Sequence, residues 1–309
     1  MSISSKSIAI IGLWLLALIW GSNFMLMKIA VWHISPTQVV LVRVAFGFIP
    51  VFAYALFKKE IKFAHVKHLH HFVVMSLFAT VLNLYGFVKG TELLQSGIAG
   101  AMSGAAPIFA FIVAVIFLPQ ETFSIKKLFG ITVGFLGVLL IANPFSNELK
   151  SFAIEGVLFM VMASVCLGAS FVYSSRFISP LKLSASALTT YQLGIALIIL
   201  LVVIDFDGLS NINKNTLVFS SVTLGLGFLG TGIACIIYYF IIDQLGAVKA
   251  ASVSYITPVV ALLIGSFIAL EPIGKKEYFA AALITLGVYL LNNRTKRKAM
   301  NLREVTSTL

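Results

Sequence analysis

Residues 96–118 read SGIAGAMSGAAPIFAFIVAVIFL, and residues 249–270 read KAASVSYITPVVALLIGSFIAL. Each run is near the length of about 20 apolar residues that carries a helix across a bilayer. Each has a proline near its middle, Pro107 and Pro258. The likeness continues past the prolines. Glu121 follows Pro107 by fourteen residues and Glu271 follows Pro258 by thirteen, and Gly137 and Gly287 each lie sixteen residues beyond those glutamates. The chain therefore reads as two weak copies of one unit. An odd number of crossings per copy turns the second copy over in the membrane. Inverted copies with matched interrupted helices are the pattern of a secondary transporter.

Composition sets the solvent. The chain is 60% hydrophobic and 11% charged, with a mean hydropathy of +1.03. A soluble domain cannot bury that much apolar surface, so the surroundings are lipid. Ten stretches are apolar enough to be read as spans: 8–29, 37–57, 69–90, 96–118, 126–142, 154–177, 185–204, 217–241, 249–270 and 277–292. Strand-like alternation is absent, which sets a β-barrel aside. The expected fold is an all-α membrane protein of ten transmembrane helices in two inverted five-helix repeats. These cover residues 1–143 and 154–292 and are followed by a basic tail, 293–309. The first stretch has no convincing small-residue cleavage site and is expected to stay as a helix.

The net charge of +11 follows the same division. Of the 22 Lys and Arg residues, fifteen fall in segments on the side of the N-terminus, six on the other side, and Arg43 inside a span. The positive-inside rule then puts both termini in the cytoplasm. The basic balance reads as topology and contact with anionic lipid, with no call for nucleic acid.

Chemistry-bearing residues are few. A mid-helix proline frees the carbonyl four residues back, here those of Ser103 and Ser254, and such carbonyls can line a cavity. Pro107 and Pro258 are accordingly read as hinges. All eleven carboxylates lie in loops, tails or the last turn of a span. A relay of buried acids, as in a pump, is therefore not expected. Glu121 and Glu271 read as interfacial ion pairs or as charges at the start of the following helix. Lys89 and Glu92 are spaced to pair on one helix face. Arg43 either snorkels outward or meets a substrate carboxylate. Asn23, Asn83, Tyr85, Ser170, Tyr173, Gln192 and Tyr255 join Ser103 and Ser254 as candidate cavity residues, against the plainer reading that they glue helices together. The histidines at 65, 68, 70 and 71 read as a basic interfacial loop, with no metal site expected. Cys166 and Cys235 read as small packing residues. The Gly100-x-x-x-Gly104 and Gly130-x-x-x-Gly134 spacings allow close helix approach within the bundle, with a homodimer contact as the alternative.

Trp20-Gly21-Ser22-Asn23-Phe24 with Lys28, then Pro36 and Arg43, resemble the drug/metabolite transporter superfamily, in particular its ten-span EamA-type exporters. So do the two sets Pro107, Glu121, Gly130, Gly137 and Pro258, Glu271, Gly287, although Ala280 stands where a counterpart of Gly130 would be. The resemblance covers nearly the whole chain. It implies a central cavity between the repeats and export of amino acids or other small metabolites across a bacterial inner membrane. The expected activity is alternating-access export of a small neutral or zwitterionic solute, without cofactor or catalysis. Multidrug or other metabolite carriage, and a receptor or scaffold role, stand as alternatives. An intramembrane enzyme would need a convergent nucleophile, base or metal set, which the mid-span residues do not offer.

Overall fold

The computed structural model describes residues 5–117, 125–142, 151–250 and 252–292. Every regular element among them is helical. Glu121, the joint at 143–150 and the tail from 293 lie outside the described residues.

The chain runs back and forth in long passes. The first is α1 (Ser5–Val31). The turn into α2 (Pro36–Phe57) is set by Ser35, whose hydroxyl accepts the Gln38 amide while the Gln38 side chain accepts the Ser35 amide. This capping box leaves Pro36 in the first helical turn, where a missing N–H has no cost. The third pass is α3 (Leu69–Met75), a π-helical turn over Ser76–Val81, and α4 (Leu82–Leu93). The fourth is broken into α5 (Ser96–Ser103) and α6 (Ala106–Phe117), and the fifth is α7 (Ile125–Ala142). In the second half α8 (Ser151–Tyr173) leads into a π-helical turn, Ser174–Ile178, and α9 (Ala185–Val203) is capped by Ser184. A long pass follows through α10 (Thr216–Ser220), a π-helical segment Ser221–Ile233 and α11 (Ala234–Leu245). The last elements are α12 (Ala247–Ala250), α13 (Val253–Phe267) and α14 (Lys275–Asn292).

Among the described residues, seven helical stretches are long and apolar enough to cross a membrane, and Lys127–Ile141 and Val253–Phe267 are shorter apolar helices. The last pass, α14, is not among the seven. Alternate passes end together. Gln38 at the start of α2 donates to the carbonyls of Asp205 and Asp207 just past α9. Arg176 beyond α8 donates to the Phe117 carbonyl at the end of α6. One end of the bundle therefore carries Lys28, the 94–96 turn and the 204–207 segment. The other carries the lysine-rich segments near 58–68 and 181–184.

Two antiparallel seams join the halves, both made of small residues. Lipid tails give apolar side chains no reason to leave them, so helices associate where backbones approach closely. On α5 and α13, Gly97 lies against Gly265, Gly100 against Ala261, and Gly104 against the Pro258 ring. A methyl group built on Gly100 would sit 2.1 Å from the Ala261 Cβ, so no side chain fits there. On α7 and α14, Gly134 faces Gly287, and Gly137 faces Ala280 and Ile284. The Gly-x-x-x-Gly spacings are thus used for packing inside one chain.

The prolines act differently from one another. The fourth pass breaks at Gly104–Ala105, and Pro107 then occupies the first turn of α6, where helices accept it. Pro258 lies within the unbroken helix α13, buried under Gly104, and the interruption of that pass falls ahead of Val253. The expectation of a helix break at each proline thus holds only approximately. The discontinuity precedes both prolines, but only Pro107 gains from it: Pro258 is the sixth residue of α13 and leaves the Ser254 carbonyl without its helical donor.

Gly100→Ala should destabilise the protein by about 1–3 kcal/mol, the scale of overpacking in a tight interface. Ala261→Gly added to it should restore most of the loss. Thermal unfolding in detergent of the two single variants and the pair checks this.

Candidate functional site

Arg43 is 8% exposed, on α2 in mid-bundle. Its Nε donates to Thr231 Oγ1 at 2.9 Å, and one terminal nitrogen lies 3.7 Å from Met27 Sδ on α1. Thr231 in turn donates to the Leu226 carbonyl, five residues back in the π-helical segment. Both partners of the guanidinium are neutral. Among the described residues the one salt bridge is Lys89–Glu92, at 2.5 Å, as its spacing predicted. Arg43 is therefore a buried cation with no counterion among the described residues. Such a charge costs several kcal/mol unless something pairs with it.

Asn23 is 4% exposed and reaches the same place from α1. Its Nδ2 points to the Gly230 carbonyl at 3.5 Å, and its Oδ1 is buried with no hydrogen-bond partner. Gly230 and Thr231 are adjacent, so Asn23 and Arg43 converge on one turn of the π-helical segment. The turn admits them because α2 packs close on it: Gly47 meets Thr231 and the Gly227 carbonyl, and Pro50 meets Gly232. A widened helical turn, an orphaned acceptor and an unpaired cation thus lie together. π-Helical turns cluster at functional positions because they re-aim side chains and carbonyls.

A second polar contact has the same plan. Gln192 lies eight residues beyond its cap Ser184, as Arg43 lies eight beyond Ser35. Gln192 Nε2 donates to Thr80 Oγ1 at 2.6 Å, and Thr80 belongs to another π-helical turn, Ser76–Val81. Ser76 in that turn donates to the Gln192 carbonyl at 2.8 Å. The two contacts differ in charge: a guanidinium in the first, a neutral amide in the second.

The remaining candidates are spread along the bundle. Asn83 donates to the Ala163 carbonyl at 2.9 Å and ties α4 to α8. Tyr85 packs edge-on against Phe159. Ser103 and Ser170 donate to carbonyls of their own helices, those of Gly100 and Leu167. Tyr173 meets His71 Nδ1 at 2.7 Å near the lysine-rich end. Ser254 and Tyr255 are half-buried on α13, and Tyr255 packs against the main core.

Residues 7–143 and 154–293 match the EamA-like transporter family. The chain belongs to that family. Relatives include an uncharacterized transporter of Archaeoglobus fulgidus, 25% identical over 88% of this chain and 94% of its own length. The uncharacterized inner membrane transporter YedA of Escherichia coli is 26% identical over 90% of each chain. The uncharacterized transporter YoaV of Bacillus subtilis is 22% identical over 91% of this chain and 95% of its own. A crystal structure at 18% identity superposes with a TM-score of 0.59 and covers 93% of this chain and 97% of the other, which shows a shared fold.

In this EamA-family chain the end carrying Lys28 is held by charge. Lys28 Nζ donates to the carbonyls of Thr91, Glu92 and Leu94 at 3.0, 2.8 and 2.6 Å, closing the C-terminus of α4. Glu271 accepts the amides of Ser96 and Gly97 at 2.7 and 2.9 Å, closing the N-terminus of α5. A cation on a helix C-terminus and an anion on a helix N-terminus both suit the helix dipole. Glu271 therefore serves a helix of the other half, where the sequence suggested an ion pair or a charge on the following helix. Long-range pairing of this kind has no sequence signal. Lys28 and Met27 were not among the expected site residues.

Glu271→Gln keeps one acceptor and removes the charge. It should lower stability by about 1–2 kcal/mol, in line with charge-assisted bonds. Lys28→Met should cost at least as much, because three carbonyls lose their donor. Denaturant unfolding in mixed micelles measures both.

Proposed function

We propose that the protein is a secondary transporter that exports a small zwitterionic metabolite, an amino acid or a close relative, across the bacterial inner membrane. In this reading the two halves, 1–143 and 154–292, are inverted repeats of five crossings each, and both termini are cytoplasmic. The observation that carries the substrate class is the convergence of Arg43 and Asn23 on Gly230 and Thr231. A carboxylate supplies the counterion that Arg43 lacks among the described residues. An ammonium supplies the donor that Asn23 Oδ1 lacks. A zwitterion brings both groups and adds no net charge to the membrane interior.

The reading also explains why the second half has Gln192 where the first has Arg43. Two cations would demand a dianion, and one cation with one amide suits a solute with a single carboxylate. Transport then follows from differential affinity of two conformations that open at opposite ends. The charged clamp of Lys28 and Glu271 closes one end, and the interrupted passes at 104–105 and ahead of Val253 are the joints about which the halves move.

Counterflow in proteoliposomes tests the assignment. Amino acids are compared with the amines that lack their carboxylate, in wild-type protein and in Arg43→Gln. The variant should transport carboxylate-bearing substrates roughly 10- to 100-fold more slowly, the scale of one charge-assisted hydrogen bond, with amines unaffected. Its thermal stability without substrate should equal or exceed that of the wild type, since an unpaired buried charge is gone. Equal loss for acids and amines would remove Arg43 from carboxylate recognition.

A further inference from the structure

At the end of the bundle opposite the clamp, a cleft of about 520 Å³ opens between the 58–68 segment and residues 181–184. Lys58, Lys59, Lys62, Lys67 and Lys182 line it. The one carboxylate in its wall, Glu60, is bonded by the Ser186 hydroxyl. None of the five lysines forms an ion pair among the described residues.

Orientation in the membrane explains lysines on this face but not their arrangement. The walls are ordered. Tyr191 on α9 accepts the Lys62 amide at 3.2 Å, bonds His65 Nδ1 at 3.0 Å, and stacks on Phe72 with ring centres 4.6 Å apart. Two of the lysines stand on backbone that resists them. Lys59 has φ of 56° and Lys182 has φ of 50°, the left-handed region. Each ends a helical turn, its amide bonded to the carbonyl of Leu56 or Ser179, at the place where glycine is the usual residue. A side chain in that conformation costs roughly 1–2 kcal/mol. Two independent turns, one in each half of the chain, both hold lysine there and both direct it to the same cleft wall. Backbone strain retained at converging charges is a mark of a ligand site.

We propose that this cleft binds a phosphate-bearing anion, the phosphodiester headgroup of an anionic lipid or a soluble phosphate. The five lysines outnumber the one carboxylate in the wall, Glu60, which the Ser186 hydroxyl already bonds, so a compact multivalent anion is the ligand the cluster fits. It is separate from the Arg43 site, and its occupancy bridges the two halves of the chain.

The test uses the full-length protein in neutral detergent. Binding is followed by thermal shift and by native mass spectrometry with phosphatidylglycerol, phosphatidylcholine or inorganic phosphate. The double variant Lys59→Gly/Lys182→Gly relieves both strained positions, so it should fold at least as stably as wild type without anion. Its anion affinity should drop roughly 30-fold, about 1 kcal/mol for each lysine at a charged lipid surface. Lys275→Gln/Lys276→Gln removes the same charge from exposed positions at the other end and should leave affinity unchanged. Stabilisation by phosphatidylglycerol alone identifies a lipid headgroup; stabilisation by inorganic phosphate as well identifies a soluble anion. The proposal is overturned if no anion stabilises the wild type beyond phosphatidylcholine. It is equally overturned if the Lys59/Lys182 and Lys275/Lys276 variants lose affinity equally.

Discussion

The contact on which the rest depends is the close seam of α5 against α13. Gly97, Gly100 and Gly104 meet Gly265, Ala261 and Pro258 with no room for a methyl group between them at Gly100. Such a seam can form only if α5 arrives at a fixed height and angle. Both ends of α5 are therefore controlled. Glu271 holds its first amides, and at the far end the helix stops at Gly104, which rests on the Pro258 ring. Lys28 fixes the preceding helix on the other side of the turn. Residues from both halves thus determine the place of a short helix, and any motion of the halves must break or slide this contact. In lipid, packed small residues and backbone bonds carry this load, since hydrophobic burial does not distinguish protein from tail.

Against that background Arg43 is the exception. Elsewhere charge is placed at helix ends, where dipoles and free backbone groups receive it. Arg43 is in mid-bundle with a hydroxyl and a thioether for company. The neighbouring Asn23 carries an acceptor that no described residue satisfies. A fold that caps its helices with three bonds to one lysine has the means to pair one arginine. In the proposed function, the carboxylate and the ammonium of a zwitterionic solute are the partners of Arg43 and Asn23.

How much of this was legible in the sequence follows from the range of each interaction. The apolar periods placed the helical passes, because lipid exposure demands long uninterrupted runs. The Lys89–Glu92 pair was visible because it spans three residues, and the small-residue faces were visible because their spacing is helical. The position of the helix breaks was only approximate: a proline marks the neighbourhood, but α6 restarts one residue before Pro107 and α13 five residues before Pro258. The π-helical turns at 76–81 and 221–233 left no signal in the sequence; the second is the one on which Gly47 and Pro50 pack closely. Nor could spacing show that Arg43 meets Thr231, 188 residues away, or that Glu271 caps a helix 175 residues earlier. Of the candidate residues, Asn23 and Arg43 converge, Gln192 repeats their plan with Thr80, and Asn83 and Tyr173 bond residues of other helices.

The most direct test of alternating opening is a pair of distance measurements by electron–electron resonance. Spin labels at Trp32 and Lys276 report the clamp end, and labels at Phe63 and Asp243 report the other, with Cys166 and Cys235 replaced. Lys28→Met releases the clamp. The account predicts that this substitution lengthens the 32–276 distance and shortens the 63–243 distance in the folded protein. Movement of both pairs in the same direction, or of neither, would contradict it.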